Sequence, residues 1–202
     1  MKAIMKELRW MELPKGCRRT STSIELPVPC DTLFDESLKN TLRMLAVSDE
    51  DFTFSFSSPV TPVRTRCGLT VYQDPNDWLW ISVNLNEDGE TVLSSCVSVH
   101  GHRDYVEFPA NTTAGTVIGW ELRRKGENLE VHCTCGGPDR RPVRSFSLPS
   151  SKGSVSFGLF AGNGSEKKLL MEFSSLRYRS EGKSSTTPLE PANASNATTA
   201  LL

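Results

Sequence analysis

"DWLWISVNLNEDGETVLSSCVSVH", residues 77–100, alternates apolar and polar side chains in two runs, with a turn-rich "NEDGE" at residues 86–90 between them. Alternation with period two marks a β-strand, because successive side chains point to opposite faces of a sheet. The stretch therefore predicts two antiparallel strands joined by a hairpin. In the first run Leu79, Ile81, Val83 and Leu85 make an aliphatic face, and Trp78, Trp80, Ser82 and Asn84 make the other. In the second, Leu93, Val97 and Val99 share a face opposite Ser94, Cys96, Ser98 and His100. Two neighbouring strands thus turn an aliphatic face to a core and a small polar face, with tryptophans at one end, away from it. The polar face fits a concave ligand surface, with flat indoles to stack on a sugar or apolar ring and hydroxyls to orient it. It fits equally a face that a helix, a loop or a second subunit covers.

The same period extends outward. Phe52, Phe54 and Phe56 share one side of their strand; so do Ile118, Trp120 and Leu122, then Val155, Phe157 and Leu159, then Leu169, Met171 and Phe173. Gly, Pro, Asn and Asp interrupt the chain about every 8–15 residues, the spacing of short strands and turns. The expectation is an all-β fold, a two-sheet antiparallel β-sandwich of jelly-roll type. One stretch departs from the pattern: Asp35–Ala46 brings Leu38, Leu42 and Leu45 onto one helical face and reads as a short helix or a loop. From Ser180 large apolar residues almost vanish, so residues 1–179 are read as the sandwich domain and 180–202 as a disordered polar tail.

At 202 residues the chain holds one domain, and 23 Lys+Arg against 24 Asp+Glu leave a net charge of -1. Such a balance does not draw nucleic acid. The basic clusters Arg123-Arg124-Lys125 and Arg140-Arg141 with Arg144 sit beside turn residues and read as solvated loop ends. The N-terminal "MKAIMKELRW" lacks the apolar run of a secretory signal, and no stretch suits a bilayer, so a cytoplasmic location without membrane contact is expected. In that compartment the six cysteines stay reduced, and the glycosylation-type triplets at Asn111, Asn163, Asn193 and Asn196 are turns and tail. Cys133 and Cys135 lie on one strand face, but no second pair completes a zinc site, so they read as buried or edge thiols. No metal or cofactor is expected.

The segments "RCGLTVYQDPNDWLWISV", "SSCVSVHGHRDYVEF", "GWELRRKGENLEVHC" and "SVSFGLFAGNGSEKKLLMEFSSLRY" resemble, in order and spacing, the regulation-of-enolase-like family of unknown function. That family belongs to the concanavalin A-like lectin/glucanase superfamily. The likeness spans roughly residues 10–179 and is strongest at Gly68–Trp78, a run that includes Tyr72. It implies a jelly roll and a binding or regulatory role, with a metabolic enzyme among the partners to consider, and carries no established active site.

Glucanases of that superfamily need clustered carboxylates flanking one glycosidic bond. No Glu-x-Asp-x-Glu run exists here, because "NEDGE" sits in the hairpin. The candidate catalytic residues are instead His100, His102 and Asp104, which share a face if the strand stays regular and could move a proton. Gly101 permits a bend that breaks this register. Arg64 or Arg66 would hold an anion or polarise a carbonyl. Two readings stay open. One is a binding or regulatory module taking a carbohydrate or small molecule around Arg64, Arg66, Tyr72, Trp78, Trp80, Ser82, Asn84, Ser98 and Tyr105. The other is a small-molecule biosynthetic enzyme of isomerase or cyclase type built on the same pocket, which needs only a shaped apolar cavity with one or two placed donors.

Overall fold

The computed structural model describes residues 9–12, 15–20, 23–29, 42–61, 65–86, 88–148 and 153–181. The regular elements among them are β-strands: β1 (Arg9–Glu12), β2 (Arg18–Arg19), β3 (Ser23–Val28), β4 (Leu42–Ser48), β5 (Phe52–Pro59), β6 (Thr65–Tyr72) and β7 (Trp78–Leu85). They continue with β8 (Thr91–Val99), β9 (His102–Pro109), β10 (Val117–Lys125), β11 (Asn128–Cys135), β12 (Arg140–Ser147), β13 (Val155–Asn163) and β14 (Leu169–Ser180). A first sheet runs β1-β4-β13-β6-β7-β8-β9 and a second β12-β11-β10-β5-β14-β3-β2. This is the antiparallel two-sheet sandwich that the alternation predicts.

The faces assigned by period two meet in the core. Leu69, Leu79, Ile81, Leu93 and Phe157 of the first sheet pack against Phe52, Phe54, Phe56, Trp120 and Phe173 of the second, all buried. Each such side chain contributes about 1.5–3 kcal/mol by leaving water. Phe52 and Phe157 stack across the two sheets with ring centroids 4.2 Å apart. At the outer rim Arg144 of edge strand β12 forms an ion pair with Asp104 of edge strand β9, joining the sheets where both would otherwise end.

The stretch Asp35–Ala46, read from the sequence as a short helix or a loop, is neither in its second half. Leu42–Ser48 is strand β4, hydrogen-bonded between β1 and β13, and residues 35–41 lie outside the described ones. Met44 and Leu45 point to opposite faces, yet both are buried. A strand covered on both faces is a continuous apolar run, which periodicity alone cannot tell from a buried helix. At the other end β14 reaches Ser180, and the Glu181 N–H donates to the Asp51 carbonyl at 2.9 Å. The tail from residue 182 lies outside the described residues.

Two local devices shape the face that carries the tryptophans. The Asp74 carboxylate accepts the N–H groups of Asn76 (2.7 Å) and Asp77 (3.0 Å), folding the loop before β7. Buried Asp77 then accepts the His100 N–H at 2.6 Å, and the Ser98 hydroxyl donates to the Asn76 carbonyl at 2.6 Å. Loop and β8–β9 turn therefore brace each other. At Gly68 and Gly158 an added Cβ would overlap the Ile81 and Met44 carbonyls, so only glycine lets the neighbouring strands approach as they do.

Candidate functional site

The outer face of the first sheet, turned away from the core, is built from three rows of aligned residues. Tyr72, Trp78, Ser98 and Arg103 form one row; Thr70, Trp80, Cys96 and Tyr105 the next; Ser82, Ser94 and Glu107 the third. Trp78 is 0% and Trp80 2% exposed, and with Cys96 and Phe160 they make an apolar cluster separate from the core. Arginines lie over the rings: Arg43 is 4.5 Å from the Tyr72 centroid, Arg66 5.1 Å from Trp80 and Arg103 5.7 Å from Trp78. Contacts of this kind contribute about 0.5–2 kcal/mol each. Tyr105 tilts against Trp80 at 6.0 Å and remains 51% exposed.

The polar groups here are incompletely matched. The Trp78 indole N–H donates to the Pro75 carbonyl at 3.1 Å, and that of Trp120 donates to Ser58 Oγ at 2.9 Å. The Trp80 Nε1 is buried and has no acceptor among the described residues. An unpaired buried donor costs about 1–3 kcal/mol, which marks the position as unusual. Beside it, Ser94 Oγ lies 2.8 Å from Glu107 Oε2 and 2.9 Å from Asn84 Oδ1, and the Tyr105 hydroxyl donates to the same Glu107 oxygen at 2.6 Å. A hydroxyl carries one proton, so Ser94 satisfies only one of its two acceptors. Whichever it takes, the other has a second donor, the Ser82 hydroxyl for Asn84 Oδ1 at 3.5 Å or the Tyr105 hydroxyl for Glu107 Oε2, so it is the second Glu107 oxygen that stays able to accept from outside. Burial, reinforced by the bond to Glu107, pushes the Tyr105 phenol above its ordinary value, so it remains a donor at neutral pH.

The sequence-derived candidates separate on this frame. Tyr72, Trp78, Trp80, Ser82, Asn84, Ser98 and Tyr105 share the outer face, as does Arg66; Arg64 lies outside the described residues. Ser98 is committed to Asn76, while Asn84, Arg66 and Tyr105 border the surface. His100, His102 and Asp104 do not share a strand face, which corrects the expectation drawn from a regular strand. His100 (φ 52°) and Gly101 (φ 79°) are the central residues of a tight turn that pairs Val99 with His102. Positive φ at both positions is what a type I′ hairpin requires. His102 and Asp104 consequently face the core side of edge strand β9, where Asp104 pairs with Arg144, and His100 Nδ1 lies 3.9 Å from Asp77 instead.

Two features escape the sequence reading. Glu107 joins the outer face because the turn resets the phase of β9, and the His-Gly pair was the available signal. The second sheet also carries an open groove of about 200 Å³, lined by Ser55, Ser57, Glu121, His132, Thr134 and Arg140 over Gly119. There Glu121 pairs with Arg140 at 2.5 Å, and His132 Nδ1 is buried without a partner among the described residues. Burial, then Arg140 and Arg123, hold the His132 imidazole below its usual range. Among the described residues no group of three or more His, Cys, Asp or Glu could hold a metal ion, and no helix is long and apolar enough to cross a membrane.

A family model for proteins of unknown function, DUF1349, matches residues 31–181. The chain belongs to the DUF1349 family. A functionally unknown protein from Saccharomyces cerevisiae has the same fold, with a TM-score of 0.72 at 16% identity over 87% of this chain and 97% of that one. The GH43 protein BlXynB from Bacillus licheniformis matches with a TM-score of 0.62 at 13% identity, over 80% of this chain and 33% of its own. A xylan beta-1,4-xylosidase from Bacillus halodurans C-125 matches at 0.63 and 16% identity, over 81% and 34%. This DUF1349 chain thus spans about a third of those two bacterial chains. At such identities the likeness concerns the fold alone, a two-sheet antiparallel β-sandwich of jelly-roll type. No curated protein matches the sequence.

Proposed function

We propose that this DUF1349 chain is a binding or regulatory module that takes a carbohydrate on the outer face of its first sheet, beside Trp80. The observation that carries the reading is the Tyr105–Glu107–Ser94–Asn84 hydrogen-bond chain, which leaves one Glu107 oxygen without a donor among the described residues, next to a half-exposed aromatic ring. A sugar presents hydroxyl donors to such an acceptor and an apolar ring face to the phenol. Glu107 is the sole carboxylate that the described residues of β4, β6, β7, β8, β9 and β13 put on this face. Glycoside hydrolysis uses two, so binding is favoured over turnover. The fold shared with a portion of a bacterial xylan beta-1,4-xylosidase supports sugars ahead of other polyols. The same reading keeps the chain in the cytosol, where its six thiols stay reduced.

The test is isothermal calorimetry with neutral xylo-, arabino- and gluco-oligosaccharides on wild type, Glu107→Gln and Tyr105→Ala. Hydrogen bonds to a charged group contribute about 1.5–3 kcal/mol, so Glu107→Gln is expected to weaken binding roughly 10- to 150-fold. Absence of binding across the panel, or binding indifferent to both substitutions, overturns the reading.

A further inference from the structure

We propose that Cys133 and Cys135 form a redox-active dithiol that reacts with hydroperoxides, Cys135 attacking, Cys133 resolving and Arg141 holding the reactive sulfur. The two residues stand at i and i+2 of β11, on the face turned to the core, with their sulfurs 3.6 Å apart. Arg141 of β12 lies opposite Cys133 in the ladder. Its guanidinium donates to Cys135 Sγ at 3.1 Å and to the Ala110 carbonyl at 3.0 Å. A cation fixed against one sulfur of a close pair is the arrangement that favours a thiolate. The two thiols are also unequal in access: Cys133 is buried, whereas Cys135 is half-buried at the end of the strand.

That inequality assigns the roles. The Cys133 thiol, and after it Arg141, pull Cys135 below the ordinary thiol range against the effect of its burial. The same bond to Cys135 and its own burial push Cys133 upward, so it keeps its proton. Cys67 shows the inert alternative: buried in the core with its sulfur donating to the Pro59 carbonyl, it is pushed up to about 12.

The steps balance. The Cys135 thiolate attacks the distal oxygen of the hydroperoxide and the O–O bond breaks; with one proton taken up, an alcohol or water leaves and a sulfenic acid forms. The Cys133 sulfur then displaces that hydroxyl group as its proton departs with it as water, giving a disulfide. The hydroperoxide is reduced by two electrons and the thiol pair oxidised by two. Two residues of a strand span about 6.4–6.8 Å, the upper end of the Cα separation a disulfide tolerates. Closure therefore needs the chain end of β11 to bend, and Cys135 is its last residue, followed by Gly136 at φ 69°. A thiol reductant returns the pair to its starting state.

The experiment uses the full reduced chain, alkylated with iodoacetamide at about pH 6 or treated with hydrogen peroxide, and read by peptide mass spectrometry. Held below the ordinary thiol range, Cys135 carries a larger thiolate fraction at that pH than a free cysteine does, and the lower nucleophilicity of an acidic thiolate offsets only part of the gain. Cys135 is therefore expected to alkylate severalfold faster than free cysteine, and to slow in Arg141→Gln. Peroxide should join Cys133 to Cys135 with loss of two hydrogens, reversibly with dithiothreitol, and Cys133→Ser should stop at a sulfenic acid that dimedone captures. The wild-type result decides alone if Cys133→Ser fails to fold. Alkylation of Cys135 no faster than of half-buried Cys17, or peroxide treatment without the Cys133–Cys135 link, overturns the proposal.

Discussion

Replacing each buried tryptophan in turn by phenylalanine separates the Trp80 indole from its two counterparts. At Trp78, Trp80 and Trp120 the change removes a similar piece of buried ring, costing roughly 1–2 kcal/mol in lost burial and packing at each position. The hydrogen-bond consequences differ. Trp120→Phe leaves buried Ser58 Oγ without its donor, and Trp78→Phe does the same to the Pro75 carbonyl, adding about 1–3 kcal/mol. Trp80→Phe removes a buried N–H that has no acceptor among the described residues, so a similar amount is regained. The expectation is a cost of roughly 2–5 kcal/mol at Trp120, somewhat less at Trp78, and close to zero at Trp80. Urea unfolding followed by circular dichroism gives each change from the midpoint at constant slope. A Trp80→Phe variant destabilised as much as Trp120→Phe would falsify the claim that this indole is unpaired, and would remove one of the features that single out its surroundings.

Gly68→Ala should destabilise the fold by about 1–3 kcal/mol or more, because the new Cβ meets the Ile81 backbone, which has no flexible side chain to yield; a urea midpoint equal to wild type contradicts this. His132 gives a pH effect of defined sign. Above its unfolded pKa of about 6.5 both states are neutral, whereas below it the unfolded chain takes up a proton that the folded one resists, so stability falls as pH drops. Urea midpoints from about pH 7.5 to 5.5 should decline less steeply in His132→Gln than in wild type, and parallel declines would exclude His132 as the cause. Asp104→Asn should change stability by less than about 1 kcal/mol, because Asp104 is 71% exposed and its pair with Arg144 is screened; a larger loss would mean that the pair closes the sandwich edge more tightly than an exposed ion pair does.

What could be read from the chain is what local periodicity encodes. The faces of β5, β7, β8, β10, β13 and β14 follow from alternation because the core side of each is apolar. β4 hides because Met44 and Leu45 are buried on opposite sides, which erases the alternation. The histidine cluster dissolves for a similarly local reason. The positive-φ pair His100-Gly101 resets the phase, so Arg103, Tyr105 and Glu107 continue the outer face while His102 and Asp104 take the core side of this edge strand, still exposed at its rim. Longer-range facts had no local signal. The burial of Trp78 and Trp80 involves Arg103 and Arg66, on strands β9 and β6 that only the sheet brings alongside them. The place of Arg141 beside Cys135 depends on the pairing of β11 with β12, which slips between Val131 and His132. The groove over Gly119 needs β5, β10, β11 and β12 side by side.

The most direct test of a carbohydrate site beside Trp80 is a nitrogen–proton NMR titration of the indole N–H resonances, assigned by single Trp→Phe variants, with the same neutral oligosaccharides. A ligand on the outer face of the first sheet should shift the Trp80 indole saturably while Trp120, on the core side of the second sheet, stays fixed. A stationary Trp80 indole, with shifts gathered instead at Gly119, Glu121 and His132, would contradict the assignment and move the site to the groove on the opposite sheet.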